Sequence, residues 1–275
     1  MATPVGDMTR WRRPLKTACA ALLLGASVLV LRASQAPPSA ARPHQLRVAA
    51  AADLKFAMDD ILKDFHRVRP DVDVRATYGS SGTLFAQLAN GAPFDMFFSA
   101  DIEYVHRLRS QNLTVPDSDF VYAVGRIVLW VRRSSPLDLT RGLAVLRDAS
   151  VRRVAIANPD HAPYGRAAEA AMKSMKLYDE VRSKLVFGEN VAQAAQFVES
   201  GAADAGIIAL SLASSPALMN EGRFWELPLA TYPRMEQGGA ILKRTRELEA
   251  TRALSAFVSG TEGRATLKRF GFILP

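Results

Sequence analysis

A single cysteine, Cys19, occurs in 275 residues, and it lies inside an N-terminal apolar run. The rest of the chain therefore has no disulfide, no thiol nucleophile and no cysteine-ligated metal. Histidine is scarce as well, with four in the chain, no H-E-x-x-H and no close pair at ligand spacing, which removes the usual patterns of metal catalysis. Basic residues are dispersed among acidic ones rather than clustered, so a nucleic-acid role has no support. No internal repeat is visible, and the one low-complexity tract is the linker "APPSAARP" (36–43).

What is present begins with a three-part secretory signal: basic "MTRWRRPLK", apolar "ACAALLLGASVLVL" and small residues in "RASQA". The apolar stretch, 18–31, is shorter than the roughly 20 residues that span a bilayer. Cleavage is expected near Ala36, giving a signal peptide at 1–36, a linker at 37–45 and an extracytoplasmic or periplasmic mature chain. Removing five basic residues and one acidic residue with the signal lowers the formal charge from +8 to +4.

Beyond residue 45 short apolar runs alternate with helical periodicity, the mark of an α/β protein with largely parallel sheets. "LRVAAA" (46–51) predicts a strand. Leu54, Ala57, Met58, Ile61, Leu62, Phe65 and Val68 then recur as one face of an amphipathic helix. "VDVRATY" and "FDMFFSA" predict two further strands, and Ser99 or Asp101 is positioned to cap the helix that follows.

The run "VYAVGRIVLWV" (121–131) is long enough to leave one domain and enter another, and "FWELPLATYP" (224–233) predicts a second extended run as the return crossing. The expected division is a discontinuous first domain at 46–121 plus 232–275 and a second at 122–231.

Four strand-to-helix junctions carry polar or small residues: "AAADL" (50–54), "YGSSGT" (78–83), "HAPYGR" (161–166) and "GENVAQ" (188–193). Ligands of open α/β sheets bind at the carboxyl ends of strands, where helix N-termini present unpaired N–H donors. Four such ends could converge on one anion. Ser80, Ser81, Gly82 and Thr83 offer hydroxyl and N–H donors with room for close backbone approach, although alone such a segment reads as a helix cap.

Tyr164 has a hydroxyl donor beside the permissive Gly165, with a turn opening a helix as the plain alternative. Val191 can contribute only its backbone N–H, and His161 reads as a surface turn residue. A serine hydrolase using Ser81 is the reading from another class, but the flanks are not a G-x-S-x-G elbow and no base is identifiable.

Taken together, "RVAAAADLKFAM", "YGSSGTLFAQLANGAPFDMFFSAD", "AIANPDHAPYGRAA", "GENVAQAAQFVESGAADAGIIAL" and "GFILP" resemble the periplasmic molybdate-binding proteins of ABC importers, the ModA family of type II solute receptors. The resemblance spans nearly the whole mature chain. It implies two doubly wound α/β domains joined by two crossings, and a tetrahedral oxyanion, molybdate or tungstate, held in the cleft by neutral donors. It further implies delivery to a membrane permease driven by an ATPase, no bond made or broken, no cofactor and no protein-ligated metal. The receptor would be a monomer.

By position the family's contacts fall on Asp53, Ser81, Tyr164 and the backbone of Val191, with Ala209 at a further contact position. Ala209 and Asp53 depart from the pattern. Ala209 in "GIIA" stands where many members have tyrosine, and Tyr164 where some have alanine, so the hydroxyl could come from the other side of the cleft.

Asp53 replaces a serine-like donor. Facing a dianion at 4 Å, an ionised carboxylate would cost about 8 kcal/mol at an effective dielectric of 20, the whole binding energy of a micromolar complex. Three outcomes follow: Asp53 turns away to cap the helix at Leu54, it is protonated, or it accepts a hydrogen bond from a ligand that keeps its own proton, such as phosphate. Capping is the preferred expectation. A ligand-sensing domain of a transcription factor shares this architecture but would not carry a signal sequence.

Overall fold

The computed structural model of the protein describes residues 44–275. The signal segment, its cysteine and most of the expected linker lie outside the described residues. Among the described residues no helix is long and apolar enough to cross a membrane.

Strand β1 (His44–Ala51) is buried from Val48 onward and leads through a single 3-10 turn, Ala52–Leu54, into α1 (Lys55–Val68). That helix buries Ala57, Met58, Ile61 and Phe65, the stripe that its apolar spacing predicts, while Val68 at its end is exposed. Each fully buried aliphatic or phenyl group on such a face contributes about 1.5–3 kcal/mol. Next come β2 (Val72–Gly79), α2 (Ser81–Ala89), β3 (Met96–Ser99) and α3 (Ile102–Ser110), whose N-cap is Asp101, accepting the Glu103 N–H at 3.0 Å.

The predicted long run at 121–131 is two strands of different sheets, β4 (Phe120–Gly125) and β5 (Ile127–Arg132), with only Arg126 between them. Arg126 pins this crossing by donating to the Gly271 carbonyl at 2.8 Å and pairing with Glu226 at 2.9 Å. A 3-10 stretch, Leu139–Arg147, leads to β6 (Val154–Ala157) and α4 (Pro163–Ser174). Short α5 (Tyr178–Val181), β7 (Leu185–Gly188), α6 (Val191–Glu199), β8 (Ala205–Ala209) and α7 (Leu210–Ala213) follow.

The return differs from the expected extended run. Strand β9 (Gly222–Glu226) ends before Leu227, and Leu229–Thr231 is a 3-10 turn, because Pro228 supplies no N–H to continue a ladder. Strand β10 (Met235–Ile241) and helices α8 (Leu248–Ser259) and α9 (Thr261–Arg269) complete the chain.

Two five-stranded sheets result, in the orders β2-β1-β3-β10-β4 and β7-β6-β8-β5-β9. In each, three strands run parallel and the fourth in order, β10 or β5, is antiparallel to both neighbours. The sheets are therefore mixed rather than largely parallel. The reason is topological: the strand that follows each crossing enters its new sheet from the opposite end. β1 starts at His44, inside the stretch expected to be linker. Both sheets aim the carboxyl ends of their parallel strands at a shared cleft.

Candidate anion-binding site

A small cavity lies where the four junctions meet, and each junction contributes to its wall: Asp53 after β1, Ser81 after β2, Tyr164 at the start of α4 and Val191 at the start of α6. Among the described residues no lysine, arginine or histidine lines it. The electrostatic welcome for an anion comes instead from the N-termini of α2, α4 and α6, where unpaired N–H groups and the helix dipoles concentrate positive potential.

The junctions shape these donors by local capping. Ser80 is the N-cap of α2, its Oγ accepting the Thr83 N–H at 3.2 Å. Ser81, at 1 % exposure, accepts the Ala100 N–H on its Oγ at 2.9 Å. With that lone pair engaged, the hydroxyl hydrogen is left to donate elsewhere. At α6 the Asn190 side chain accepts the N–H groups of Ala192 and Gln193, so the Val191 N–H has no partner among the described residues.

Asp53 does not cap its helix. It falls inside the 3-10 turn, no side chain caps either that turn or α1, and its carboxylate points toward the second sheet. Oδ2 accepts from the Tyr164 hydroxyl across the cleft at 2.9 Å and from Gln237 Nε2, on β10 of its own sheet, at 2.8 Å, while Oδ1 has no hydrogen-bond partner among the described residues. Burial pushes the Asp53 carboxyl up to about 6, against the pull of the Gln237 and Tyr164 hydrogen bonds and the nearby Asp53 and Leu54 N–H groups, which favour the charged form. The same burial, with the Asp53 charge beside it, raises the Tyr164 phenol well above its ordinary value.

Tyr164 is buried, not half-buried, and its hydroxyl hydrogen is committed to Asp53. Room for that hydroxyl exists because residue 125 at the crossing is glycine: a Cβ there would sit 2.5 Å from Tyr164 Oη and 2.7 Å from Gln237 Nε2. Ala209 is buried at the end of β8 but does not line the cavity. Its Cβ offers no donor, and the strand pairing with Ile127 holds it in the core.

The other expected support residues form the seam between the sheets. The Gly82 N–H donates across the cleft to the His161 carbonyl at 2.9 Å, and His161 Nδ1 lies 2.8 Å from Ser80 Oγ and 3.5 Å from Thr83 Oγ1. His161 is thus a latch rather than a surface turn residue. Gly165 packs the first turn of α4 against the Ala157 carbonyl, where any Cβ would collide.

Arg166 adds an ion pair with Asp101 at 2.7 Å, and the Ser211 hydroxyl donates to the Asp53 carbonyl at 2.8 Å. Residue patterns left Gln237, Ser211 and the latch role of His161 unread. Gln237 is buried on β10 next to the exposed Glu236, and nothing local in the residues distinguishes it from a solvated glutamine.

Two mixed sheets, two chain crossings and a cleft cavity walled by helix N-termini define a two-lobed solute receptor of the type II periplasmic-binding fold. The chain belongs to the bacterial extracellular solute-binding proteins, whose family profile matches residues 46–273, and among them to the ModA group.

The molybdate-binding protein ModA of Azotobacter vinelandii is 34 % identical over 85 % of this chain and 91 % of its own length. ModA of Rhodobacter capsulatus is 32 % identical over 92 % of this chain and 96 % of its own. The solved structure of the Azotobacter vinelandii periplasmic molybdate-binding protein superposes with a TM-score of 0.79 at 32 % identity, covering 84 % of this chain and 99 % of that one.

Proposed function

We propose that the protein is an extracytoplasmic receptor that captures molybdate or tungstate in the cleft and delivers it to the permease and ATPase of an ABC importer. The observation that carries this reading is the convergence of four strand-to-helix junctions on one cavity that has donors but no basic side chain. A bare tetrahedral dianion matches such a shell, because it accepts hydrogen bonds on every face and needs no counter-ion held against it. Relatives named as molybdate-binding proteins, matched over nearly their full length, support the choice of ion.

Ser81 and the Val191 N–H are the donors to the ion in this reading, Asp53 and Tyr164 stand in the cavity wall as a hydrogen-bonded pair, and Ala209, without a donor side chain, adds none. The lobes in this reading are 46–125 plus 232–275, which keeps β4 whole in the first sheet rather than dividing it at 121, and 126–231, and binding closes one on the other about the two crossings. The receptor works as a monomer in the periplasm and makes or breaks no bond. Although His161 touches a serine, that serine is Ser80, whose Oγ already accepts the Thr83 N–H as a helix cap.

Calorimetric titration with molybdate, tungstate, sulfate and phosphate tests the reading. Saturable heat with the first two at a stoichiometry of about one is expected for a single cleft. Binding of phosphate in preference to molybdate would move the assignment to a hydrogen-bearing oxyanion, with Asp53 as its acceptor.

A further inference from the structure

The Asp53 carboxyl is 1 % exposed, lines the cavity, and leaves Oδ1 unpartnered while Oδ2 carries two hydrogen bonds. The direction of those bonds is fixed by a third. Gln237 Nε2 lies 3.0 Å from Tyr164 Oη as well as 2.8 Å from Asp53 Oδ2, so the amide donates to the phenol oxygen and the phenol hydrogen goes to the carboxyl. One carboxyl oxygen thus acts as a double acceptor, and the other is left without a partner among the described residues in a side chain that lines the cavity.

Among the described residues no cation offsets a negative charge at this place. From α4 the facing titratable group is Tyr164, and from β4 it is Tyr122, whose hydroxyl donates to the Ser99 carbonyl. From β10 the group is the neutral Gln237 and from α7 the neutral Ser211, which bonds the Asp53 carbonyl. The junction before α6 offers Asn190, whose oxygen is engaged in capping. On α1, Lys55 is paired with Asp59, and Tyr78 of β2 also gives its hydroxyl to Asp59.

Resting on the oxyanion-receptor reading, we propose that Asp53 holds the anion as the neutral acid, with Oδ1–H donating to it, so that the receptor takes up one proton with each dianion it binds. The neutral acid fits the hydrogen bonds made by the Asp53 carboxyl. Oδ2 becomes the carbonyl oxygen that accepts from Tyr164 and Gln237, and Oδ1–H supplies the donor that the unpartnered oxygen lacks as a carboxylate. Loading the proton also removes the like-charge repulsion that an ionised Asp53 would impose on the ligand. The carboxyl, pushed up to about 6 by burial, protonates at little expense near neutrality.

Specificity follows. With Asp53 neutral, the wall presents no carboxylate to take the hydrogen of an anion such as hydrogen phosphate, and Asn190 Oδ1 and one lone pair on each of Ser80 and Ser81 are already engaged. Tetrahedral dianions without hydrogen are selected.

The test is calorimetric titration of the mature receptor with molybdate at pH 7.5 in several non-phosphate buffers of different ionisation enthalpy. About one proton taken up per molybdate is expected, with Kd weakening about tenfold per pH unit above 7. Asp53→Asn abolishes both the uptake and the pH slope. Infrared difference spectra supply a second readout on the wild type, in which molybdate at pH 7.5 should add the stretch of a protonated carboxyl. Molybdate binding without proton uptake overturns the proposal and leaves the receptor reading standing; absence of molybdate binding in every buffer overturns both.

Discussion

Tyr164 Oη donates to Asp53 Oδ2 at 2.9 Å, and the two residues come from opposite sheets. The bond joins the start of α4 to the turn after β1 at the floor of the cleft, out of water. A hydrogen bond to a buried charged group is worth about 1.5–3 kcal/mol, more than an exposed contact across the same seam.

Tyr164→Phe keeps the ring and removes that donor. The carboxylate then loses one of its two side-chain donors, so its charged form is less favoured and Asp53 titrates above about 6. At pH 8 the variant should also lose about 1.5–3 kcal/mol of stability. Carbon-13 NMR of the carboxyl and denaturant unfolding measure the two effects; a midpoint that stays in place or falls would show that the bond is not made in solution.

Asp53→Asn should stabilise the ligand-free protein in alkaline but not acidic solution. The folded carboxyl titrates at about 6 and the unfolded one at 3.8, so the unfolded chain binds fewer protons between these values and stability declines as pH rises through that window. Above it the wild type carries a penalty of about 3 kcal/mol that asparagine escapes. Melting temperatures of both proteins at pH 4 and pH 8 check this: near coincidence is expected at pH 4 and a higher value for the variant at pH 8.

These residues also mark where the sequence stops being informative. Helix caps, glycines and apolar stripes are local signals, which is why the four junctions, the α1 stripe and the long run at 121–131 that carries the first crossing are legible from the residues themselves. Asp53 is not legible in the same way. Its partners lie 111 and 184 positions away, and only the packed sheets bring them together.

A capping role for Asp53 followed from local propensity, and tertiary contact overrode it. His161 misled for the same reason, since a turn containing Asn158 and Pro159 looks solvated until Ser80, 81 residues earlier, meets its ring. The antiparallel fourth strand of each sheet is likewise a matter of where the chain enters, which no residue pattern of β5 or β10 encodes.

Ser81→Ala tests a residue whose structural and binding roles are joined. Its Oγ accepts the buried Ala100 N–H at 2.9 Å, so alanine leaves that donor unsatisfied at about 1–3 kcal/mol and also deletes a hydroxyl from the cavity wall. Thermal unfolding should move down together with molybdate affinity, the latter by about tenfold for one lost hydrogen bond of about 1.4 kcal/mol. A stable variant with weakened binding would mean that Ala100 finds another acceptor, and a destabilised variant with intact binding would remove Ser81 from the ligand shell.

Gly82→Ala separates closure from folding. A Cβ at this position would lie 2.5 Å from the His161 carbonyl and 2.8 Å from Tyr104 Oη, both across or beside the seam, whereas within α2 an alanine is a better helix former than glycine by about 1 kcal/mol. Each lobe should fold as before and the melting point should hold or rise. The closed arrangement is blocked, so molybdate affinity should fall by at least about a hundredfold, an energy of about 2.7 kcal/mol.

Arg166→Ala supplies the contrast, because its ion pair with Asp101 spans the same seam with side chains 40 % and 30 % exposed. Losing an exposed pair of this kind should alter affinity by less than about fivefold. Small-angle scattering with and without molybdate reads closure directly: the wild type and Arg166→Ala should compact on binding, and Gly82→Ala should not. Compaction of the glycine variant would place the clash in a flexible part of the seam and relocate the closing contact to Tyr164 and Asp53.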